Sequence, residues 1–341
     1  MHMADALLSP AVGTTFWVGT FATIAYVSRK LKQQIDDKLI PLMGVLGAFI
    51  FAAQMINFTI PGTGSSGHLA GGMILAIILG PHAAFLVIAS VVTVQALFFA
   101  DGGLMALGCN IWNMGFYACF LGYPLIYKPL LGGSQRPPRI FVAALLSAIA
   151  VLQLGALSVV LQTWLSGKSE LPFLTFLLLM QPIHLAIGIV EGFVTAGVIN
   201  YVRSARPELL DSLVAASSKG AAYSLKKVLA TFVVLAIFMG GALSWFASVY
   251  PDGLEWAITK TYGKSDLPGQ SWGLARVLDK IQGKTAIFPD YRFQQKRNGA
   301  KESAAARPES PPAISVPGVI GAFLVLAIIL LIGVGIRFFR R

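Results

Sequence analysis

The sequence predicts an all-α, polytopic transmembrane helical bundle of about nine helices, with its N-terminus outside and its C-terminus inside the cell (inner or plasma) membrane. Of its 341 residues, 56% are hydrophobic and only 12% are charged, about half the charged share of a typical soluble domain. The apolar residues also form long uninterrupted runs, which is the pattern of helices that cross a hydrocarbon core. These two observations exclude an ordinary soluble domain.

Nine apolar segments carry this prediction. They are 10–28, 39–57, 69–80, 83–99, 104–127, 140–165, 173–202, 228–250 and 314–336. Most approach or exceed the roughly 20 residues that a spanning helix needs. Segment 69–80 is the exception, because it is short and ends at Gly80 and Pro81. It predicts a short span or a re-entrant helix sheltered by the surrounding protein.

The basic residues between the segments favour nine crossings. With the N-terminus outside, the short outer loops contain a single lysine or arginine, Lys168. The inner loops contain most of the loop lysines and arginines, as the positive-inside rule requires. A re-entrant 69–80 would invert the later loops and place their basic residues outside. The net charge of +11 is then explained by topology, and nucleic-acid binding is not expected. The inner loops of the nine-crossing arrangement are 29–38, 81–82, 128–139 and 203–227.

Loop lengths divide the chain into two modules. The sequence predicts that residues 1–205 form a seven-helix transmembrane module with short connections. It predicts a cytoplasmic linker over 206–227. Residues 228–341 predict a two-helix module whose long extracytoplasmic loop, 251–313, has mixed charge. That loop ends in AAARPESPPA, a composition typical of a flexible linker.

The N-terminus is the first candidate site. MHMADALLSP lacks the basic region and cleavage site of a signal peptide, so we expect residue 1 to be the mature N-terminus. Bacterial methionine aminopeptidases generally need a small second residue, so the bulky His2 should protect Met1. The terminal amine, the amide nitrogen of His2 and its Nδ1 can then bind one metal ion through fused five- and six-membered chelate rings.

These three nitrogens define a plane with a fourth position open. His68, which ends the glycine-rich loop TIPGTGSSGH on the same outer face, can fill that position. Four nitrogens in a square plane select Ni(II) or Cu(II) over zinc or magnesium. Because the amine and the amide must lose protons, binding should weaken as the pH falls. The alternative interpretation is that His2 is an incidental terminal residue.

A second group of polar residues lies in or beside the membrane. Glu191 is the only charged side chain in the nine segments. A carboxylate inside the membrane is by default a hypothesis for a functional site. His184 precedes Glu191 by two turns on the same helix face. One interpretation of His184 and Glu191 is a polar relay, or contacts that orient metal ligands. The alternative is a buried hydrogen bond that stabilises helix packing. Asp101 and Asn110 are candidate partners that orient His68. The alternative is that they are simple helix caps.

The remaining candidates indicate structure. Cys109 and Cys119 show no disulfide or CxxC pattern, and His82 lies at an inner turn. No GxxxxGK[ST], HExxH or GxSxG motif is present, so the chain is not expected to hydrolyse ATP by the P-loop mechanism. No catalytic residue and no cofactor is predicted apart from a transported metal ion.

Several stretches of sequence resemble one transporter family. The opening MHMADALLSP resembles the MHIxDGxLSP start of the substrate-binding component of nickel/cobalt energy-coupling factor (ECF) transporters, of the CbiM/NikM type. YPDGLEWA and GKTAIFPDY resemble the small two-helix CbiN/NikN (PDGLE) component, here on the same chain. Further matching stretches are GSSGHLAGG (64–72), QALFFADGGLMALGCNIWNMG (95–115) and PIHLAIGIVEGFVTAGVINYV (182–202).

The resemblance implies a seven-helix component in which Met1, His2 and His68 coordinate the metal. It also implies a separate transmembrane coupling protein and two ATPase subunits, with the PDGLE module assisting metal loading. Ala4 and Ala6 depart from the usual opening. These alanines contribute only main-chain atoms beside the metal ligands. The departure therefore puts the choice between metals in question more than metal binding itself.

These observations predict the metal-capture component of an ATP-driven nickel importer. The same device tuned to cobalt is the close alternative, because ligand identity alone does not separate the two metals. An intramembrane enzyme that uses Glu191 and His184 as an acid/base pair is an alternative of another class, and a membrane sensor is a third. Only the metal-capture hypothesis requires that no residue precede Met1.

Overall fold

Apolar helices joined by short turns make up most of the chain. The computed structural model describes residues 1–34, 36, 38–134, 136–168, 170–210, 224–265, 267, 273–293 and 311–339. The helices are α1 (Pro10–Gln34), α2 (Leu39–Gln54), α3 (Gly72–Leu79), α4 (Pro81–Phe99), α5 (Leu107–Ile111), α6 (Lys128–Leu131), α7 (Pro137–Leu165), α8 (Phe173–Ala205), α9 (Leu225–Gly241), α10 (Gly253–Tyr262), α11 (Gly273–Thr285) and α12 (Pro311–Phe338). A π-helix, Trp112–Tyr127, joins α5 to α6 without a break.

The predicted transmembrane helical fold is confirmed. In the described part of the chain, four helices are long and apolar enough to cross a membrane: Pro81–Phe99, Pro137–Leu165, Phe173–Ala205 and Ile314–Phe338. Large apolar side chains also point outward from α8, where Leu174 and Leu178 are each 63% exposed. A surface of this kind suits lipid better than water. The chain is a multi-pass membrane protein.

The short segment 69–80 forms α3, whose eight residues are all buried. At 1.5 Å per residue the helix covers about 12 Å, well below the roughly 30 Å of a hydrocarbon core. The helix alone is therefore too short to cross. Gly80 links it directly to α4, which packs against it. The number of nine crossings stays a prediction that rests on the loop charges.

The glycine-rich loop before His68 contains a small antiparallel sheet. Strands β1 (Phe58–Ile60) and β2 (Ser65–Gly67) pair with Phe58 opposite Gly67. Gly67 has no room for a side chain, because a Cβ there would lie 2.4 Å from Cγ1 of Ile187 on α8. The hairpin therefore holds His68, the next residue, beside the middle of α8.

The two long helices of the second module pack on the first. Both α9 and α12 pack along α2, and α12 also contacts α4. They cross each other where Gly240 and Gly318 bring the backbones together: a Cβ on Gly240 would lie 3.1 Å from the carbonyl carbon of Gly318. Small residues allow such close crossings in membranes.

The described part of the long loop 251–313 contains helices. It contains α10 and α11 and a 3-10 turn, Pro289–Tyr291. Asp252 starts α10 by accepting a hydrogen bond from the backbone N–H of Glu255 at 2.8 Å, the Asp-x-x-Glu pattern of a helix N-cap. Most of the predicted flexible linker AAARPESPPA and residues 211–223 of the predicted linker 206–227 lie outside the described residues.

Candidate metal centre

The first residues of the chain are inserted into the protein. The Met1 and Met3 side chains are 6% and 0% exposed. Met1 packs against α7 at Gly155, where a Cβ would lie 3.1 Å from the Met1 Cε atom. These buried side chains anchor the terminus on both sides of His2.

Hydrogen bonds fix the main chain next to His2. Asn110 accepts from the N–H of Met3 at 2.8 Å and donates to the Met3 carbonyl at 3.2 Å. The N–H of Gly103 donates to the same carbonyl at 2.9 Å. The structure thus places Asn110 on the N-terminal segment, and no hydrogen bond joins it to His68 in the described structure.

The turn after His68 is held by Glu191. Its carboxylate accepts the N–H of Ala70 at 2.7 Å and that of Gly71 at 3.1 Å. Gly71 has a φ of +75°, a left-handed conformation that glycine adopts without strain. The intramembrane carboxylate therefore positions the segment that carries His68.

The imidazoles of His2 and His68 lie side by side. Their ring centroids are 5.2 Å apart, with an angle of 24° between the ring planes. Nδ1 of His68 lies 3.0 Å from the Leu69 carbonyl oxygen, which can only accept, so Nδ1 carries the proton. Nε2 of His68 is then the nitrogen with a lone pair.

A small cavity adjoins His68 and Met1. It has about 10 Å³ of space for the centre of a water-sized sphere, enough for roughly one water molecule or one ion. The cavity is lined by Met1, Gly67, His68, Ala70, Met114, Leu152, His184, Ile187, Asp252 and Gly253.

His184 lines this cavity but does not pair with Glu191. Its Nδ1 lies 2.8 Å from the Met180 carbonyl oxygen and must donate to it, while both oxygens of Glu191 bond to the turn after His68. The two residues of the predicted acid/base pair thus have separate partners in the described structure. His82 lies at the start of α4, where its ring contacts Tyr26 and Phe120.

The second module contributes a carboxylate to the site. Oδ2 of Asp252 lies 3.7 Å from the N-terminal nitrogen of Met1. The strand β2 holds Asp252 in place, because the N–H of Ser66 donates to the Pro251 carbonyl at 2.8 Å. The indole of Trp256 also donates to the Thr63 carbonyl at 3.0 Å. The PDGLE segment thus covers the hairpin that carries His68.

Asp101 lies on the other side of His2. Its Oδ1 is 3.3 Å from Nδ1 of His2, and its Oδ2 accepts from the hydroxyl of Tyr291 at 2.6 Å. Gln282 of α11 donates to the Gly102 carbonyl at 2.7 Å. Both modules therefore line a second, larger cavity of about 370 Å³ that reaches His2. Its acidic lining residues are Asp5, Asp101, Asp252, Glu255, Asp279 and Asp290.

Burial sets the protonation of these groups. Burial, followed by the nearby N-terminal charge, lowers the pKa of His2 to about 3 and that of His68 to about 4. Burial raises the pKa of the Asp101 carboxyl. Burial also acts to raise the pKa of Asp252, but the N-terminal charge and the neighbouring histidines outweigh it and lower that pKa. Both histidines are therefore neutral at physiological pH.

Among the residues that the structure describes, no three His, Cys, Asp or Glu side chains come close enough to hold a metal ion. Sequence reasoning missed four polar residues at this site: Gln54, Gln95, Asp252 and Tyr291. The glutamines interrupt apolar segments, and such polar residues are the signal that could have revealed them.

Comparison with known proteins identifies the family. The family model described as "Cobalt uptake substrate-specific transmembrane region" (CbiM) matches residues 2–209, and the model "PDGLE domain" matches residues 226–338. Among relatives, a proposed metal transport protein of Haloquadratum walsbyi is 39% identical over 210 residues, 62% of this chain and 93% of its own. The fused nickel transport protein NikMN of Rhodobacter capsulatus is 32% identical over 225 residues, 62% of this chain and 64% of its own.

A solved structure agrees with this assignment. The crystal structure of a transition metal transporter superposes with a TM-score of 0.53 at 29% identity, over 60% of this chain and 92% of that one. The region 2–209 that matches the family model covers the predicted seven-helix part. The chain belongs to the CbiM family of substrate-specific transmembrane regions and carries a PDGLE domain on the same polypeptide.

Proposed function

We propose that this metal-transport component captures Ni(II) as cargo at its own N-terminus. The ligands in this proposal are the terminal amine of Met1, the amide nitrogen and Nδ1 of His2, and Nε2 of His68. The observation that supports it best is the burial of the N-terminus beside the two stacked imidazoles and a cavity of one-ion size. Ni(II) suits a square plane of four nitrogens.

The modules have distinct roles in this proposal. Residues 1–205 form the seven-helix metal-binding module, 206–227 the cytoplasmic linker and 228–341 the two-helix PDGLE module. The N-terminus faces outward from the cell's inner or plasma membrane. The PDGLE module assists loading, which its contacts with Met1 and the His68 hairpin support.

Cobalt is the second candidate cargo. The matching family model is described as a cobalt uptake region, whereas the Rhodobacter relative is named a fused nickel transport protein. The fused architecture and the square-planar donor set favour nickel. Competition between Ni(II) and Co(II) for purified protein tests this preference, and tighter binding of Co(II) would reverse it.

Energy for import comes from other subunits in this proposal. The sequence has no P-loop, so we infer a separate transmembrane coupling protein and ATPase subunits of an ECF complex. Uptake of nickel by cells should require their co-expression with this chain. Strong uptake by the chain alone would refute this ATP-driven scheme.

The ligand set is tested by titrating Ni(II) into purified protein with its native N-terminus. A square-planar Ni(II) absorption band should appear for the wild type. One added residue before Met1 should abolish it, because the terminal amine moves, and His68→Ala should weaken it. His82→Ala is the matched control, since His82 lies away from the site, and it should bind as the wild type does. Equal binding by all four proteins would refute the N-terminal chelate.

A further inference from the structure

Two buried glutamines connect the His2 ring to the turn after His68. Oε1 of Gln95 lies 3.1 Å from Nε2 of His2. Nε2 of Gln95 donates to Oε1 of Gln54 at 2.8 Å. Nε2 of Gln54 in turn donates to the Ala70 carbonyl at 2.8 Å. Gln95 is 0% and Gln54 is 4% exposed, so these hydrogen bonds are made in the protein interior.

The direction of this chain follows from its last acceptor. A carbonyl oxygen cannot donate, so Gln54 must turn its NH₂ group toward Ala70 and its oxygen toward Gln95. Gln95 must then turn its NH₂ group toward Gln54 and its oxygen toward His2. The remaining partner, Nε2 of His2, has to carry a proton. A neutral imidazole has only one N–H, so Nδ1 keeps its lone pair.

Asp101 is the competing partner for the proton of His2. A charged carboxylate 3.3 Å from Nδ1 would favour the opposite tautomer. That tautomer would require both glutamine amides to flip, and Oε1 of Gln54 would then face the Ala70 oxygen. Two buried acceptors without a proton between them are unfavourable. The Nε2–H tautomer instead places the Nδ1 lone pair opposite Oδ1 of Asp101. The Asp101 side chain is 24% exposed, so water can reach it, whereas Gln54 is only 4% exposed. The amide chain therefore determines the tautomer of His2.

The two imidazoles that line the small cavity, His68 and His184, have the opposite tautomer. His68 and His184 each donate from Nδ1 to a main-chain carbonyl, at 3.0 and 2.8 Å. His2 alone donates from Nε2, and it does so to a side chain. Only residue 2 needs Nδ1 for the metal, because the six-membered chelate ring closes through that nitrogen.

We propose that Gln95, held by Gln54 and the Ala70 carbonyl, is a positioning residue that fixes His2 as the Nε2–H tautomer and so presents Nδ1 to the metal ion. The inference rests on the N-terminal chelate proposed above. Groups that accept the second N–H of a metal-binding histidine orient the ring and fix its tautomer. Here the acceptor is an amide whose own orientation is set two hydrogen bonds away.

The tautomer can be measured without metal. The chain has four histidines, so solid-state NMR of protein labelled with ¹⁵N-histidine gives few signals, and the loss of a signal in His2→Gln assigns residue 2. The wild type should show Nε2–H on His2. In Gln95→Leu the proton should move to Nδ1, toward Asp101. A wild-type His2 protonated on Nδ1 would overturn the inference, as would an unchanged tautomer in Gln95→Leu.

Nickel affinity is the second measurement. Gln95→Leu should weaken Ni(II) binding about 10- to 100-fold, the usual effect of removing such a partner. Gln54→Leu, which leaves the contact of Gln95 with His2 but frees its amide to flip, should weaken binding less and give mixed tautomers. Gln153→Leu is the matched control, because Gln153 bonds to the Gln181 carbonyl at 2.9 Å and does not line the small cavity. It should match the wild type.

The outcomes separate this inference from the proposed function. If an added N-terminal residue leaves wild-type Ni(II) binding unchanged, the proposed chelate fails, whatever the tautomer of His2. If that extension abolishes binding while Gln95→Leu binds with wild-type affinity, only the positioning role fails. If Gln95→Leu does not fold, Gln54→Leu decides by the same two measurements, and wild-type values for it would overturn the inference.

Discussion

The carboxylate of Asp252 lies 3.7 Å from the N-terminal nitrogen of Met1, and the two side chains are 19% and 4% exposed. The pair joins the PDGLE module to the first residue of the other module. An unpaired charge buried at this depth would be costly, so the carboxylate stabilises the terminal ammonium inside the protein. Asp252 is itself fixed as the N-cap of α10.

Replacing Asp252 with Asn should loosen the N-terminus. Asn caps helices as well as Asp, so α10 should persist while the charge partner of the ammonium is lost. We expect the terminal amine to react several-fold faster with an acylating reagent, because it leaves its buried position more often. Mass spectrometry of the N-terminal peptide measures the rate.

Glu255→Gln is the control for this experiment. Glu255 lies on the same helix with an exposed side chain, so it should leave the rate unchanged. Equal rates for Asp252→Asn and the wild type would show that the ion pair does not hold the terminus.

Replacing Glu191 with Gln should destabilise the turn after His68. The amide has one oxygen for the two N–H donors of Ala70 and Gly71, and its NH₂ group would face one of them. Leaving one buried donor unsatisfied costs about 1–3 kcal/mol. We expect a lower unfolding temperature and weaker Ni(II) binding. Glu170→Gln, at an exposed carboxylate, is the control, and identical melting of the two variants would contradict this role of Glu191.

Replacing Gly71 with Ala should be more damaging than the same change at Gly64. Both residues have a φ of +75°, so both alanines carry the left-handed backbone penalty, about 1–2 kcal/mol. At Gly64 no atom lies within 4 Å of an added Cβ. At Gly71 the added Cβ would lie 2.7 Å from the side chain of Ile50. We expect a further loss of about 1–3 kcal/mol for the overlap. Equal unfolding free energies for the two variants would refute this packing argument.

Apolar runs were enough to predict the helical membrane fold, because length and hydrophobicity determine which segments leave water. They did not predict α10 or α11, since the mixed charges of 251–313 hide two short helices. The Asp252–Glu255 cap was the local signal for the first of them. The contact of that cap with Met1 is a tertiary relationship that no local pattern contains.

The sequence also gave an incomplete view of the candidate site. Met1, His2 and His68 could be proposed because a terminal Met-His carries its own chelating nitrogens. The roles of Gln54 and Gln95 could not be proposed from the sequence, because each role depends on a partner on another helix or on the turn after His68. Only the folded chain shows that the Ala70 carbonyl orients Gln54, that Gln54 orients Gln95, and that Gln95 faces His2.

The pH dependence of nickel binding should identify the ligands. The pKa values of His2 and His68 are lowered to about 3 and about 4 by burial, so both imidazoles are already deprotonated above pH 5. Protons therefore do not compete with the metal at these rings near neutrality. The amide of His2 and the terminal ammonium must still release protons when the chelate forms.

Affinity should consequently keep rising above pH 7, by about tenfold per pH unit for each proton released. A site built on the two imidazoles alone would instead show affinity independent of pH between 5 and 8, since His2 and His68 lose no proton there. Competition with a chelator of known affinity measures the slope, and calorimetry in buffers of different ionisation enthalpy counts the protons. At least one proton per Ni(II) is expected at pH 7. Release of none would exclude the deprotonated amide from the ligand set, whichever imidazoles remain bound.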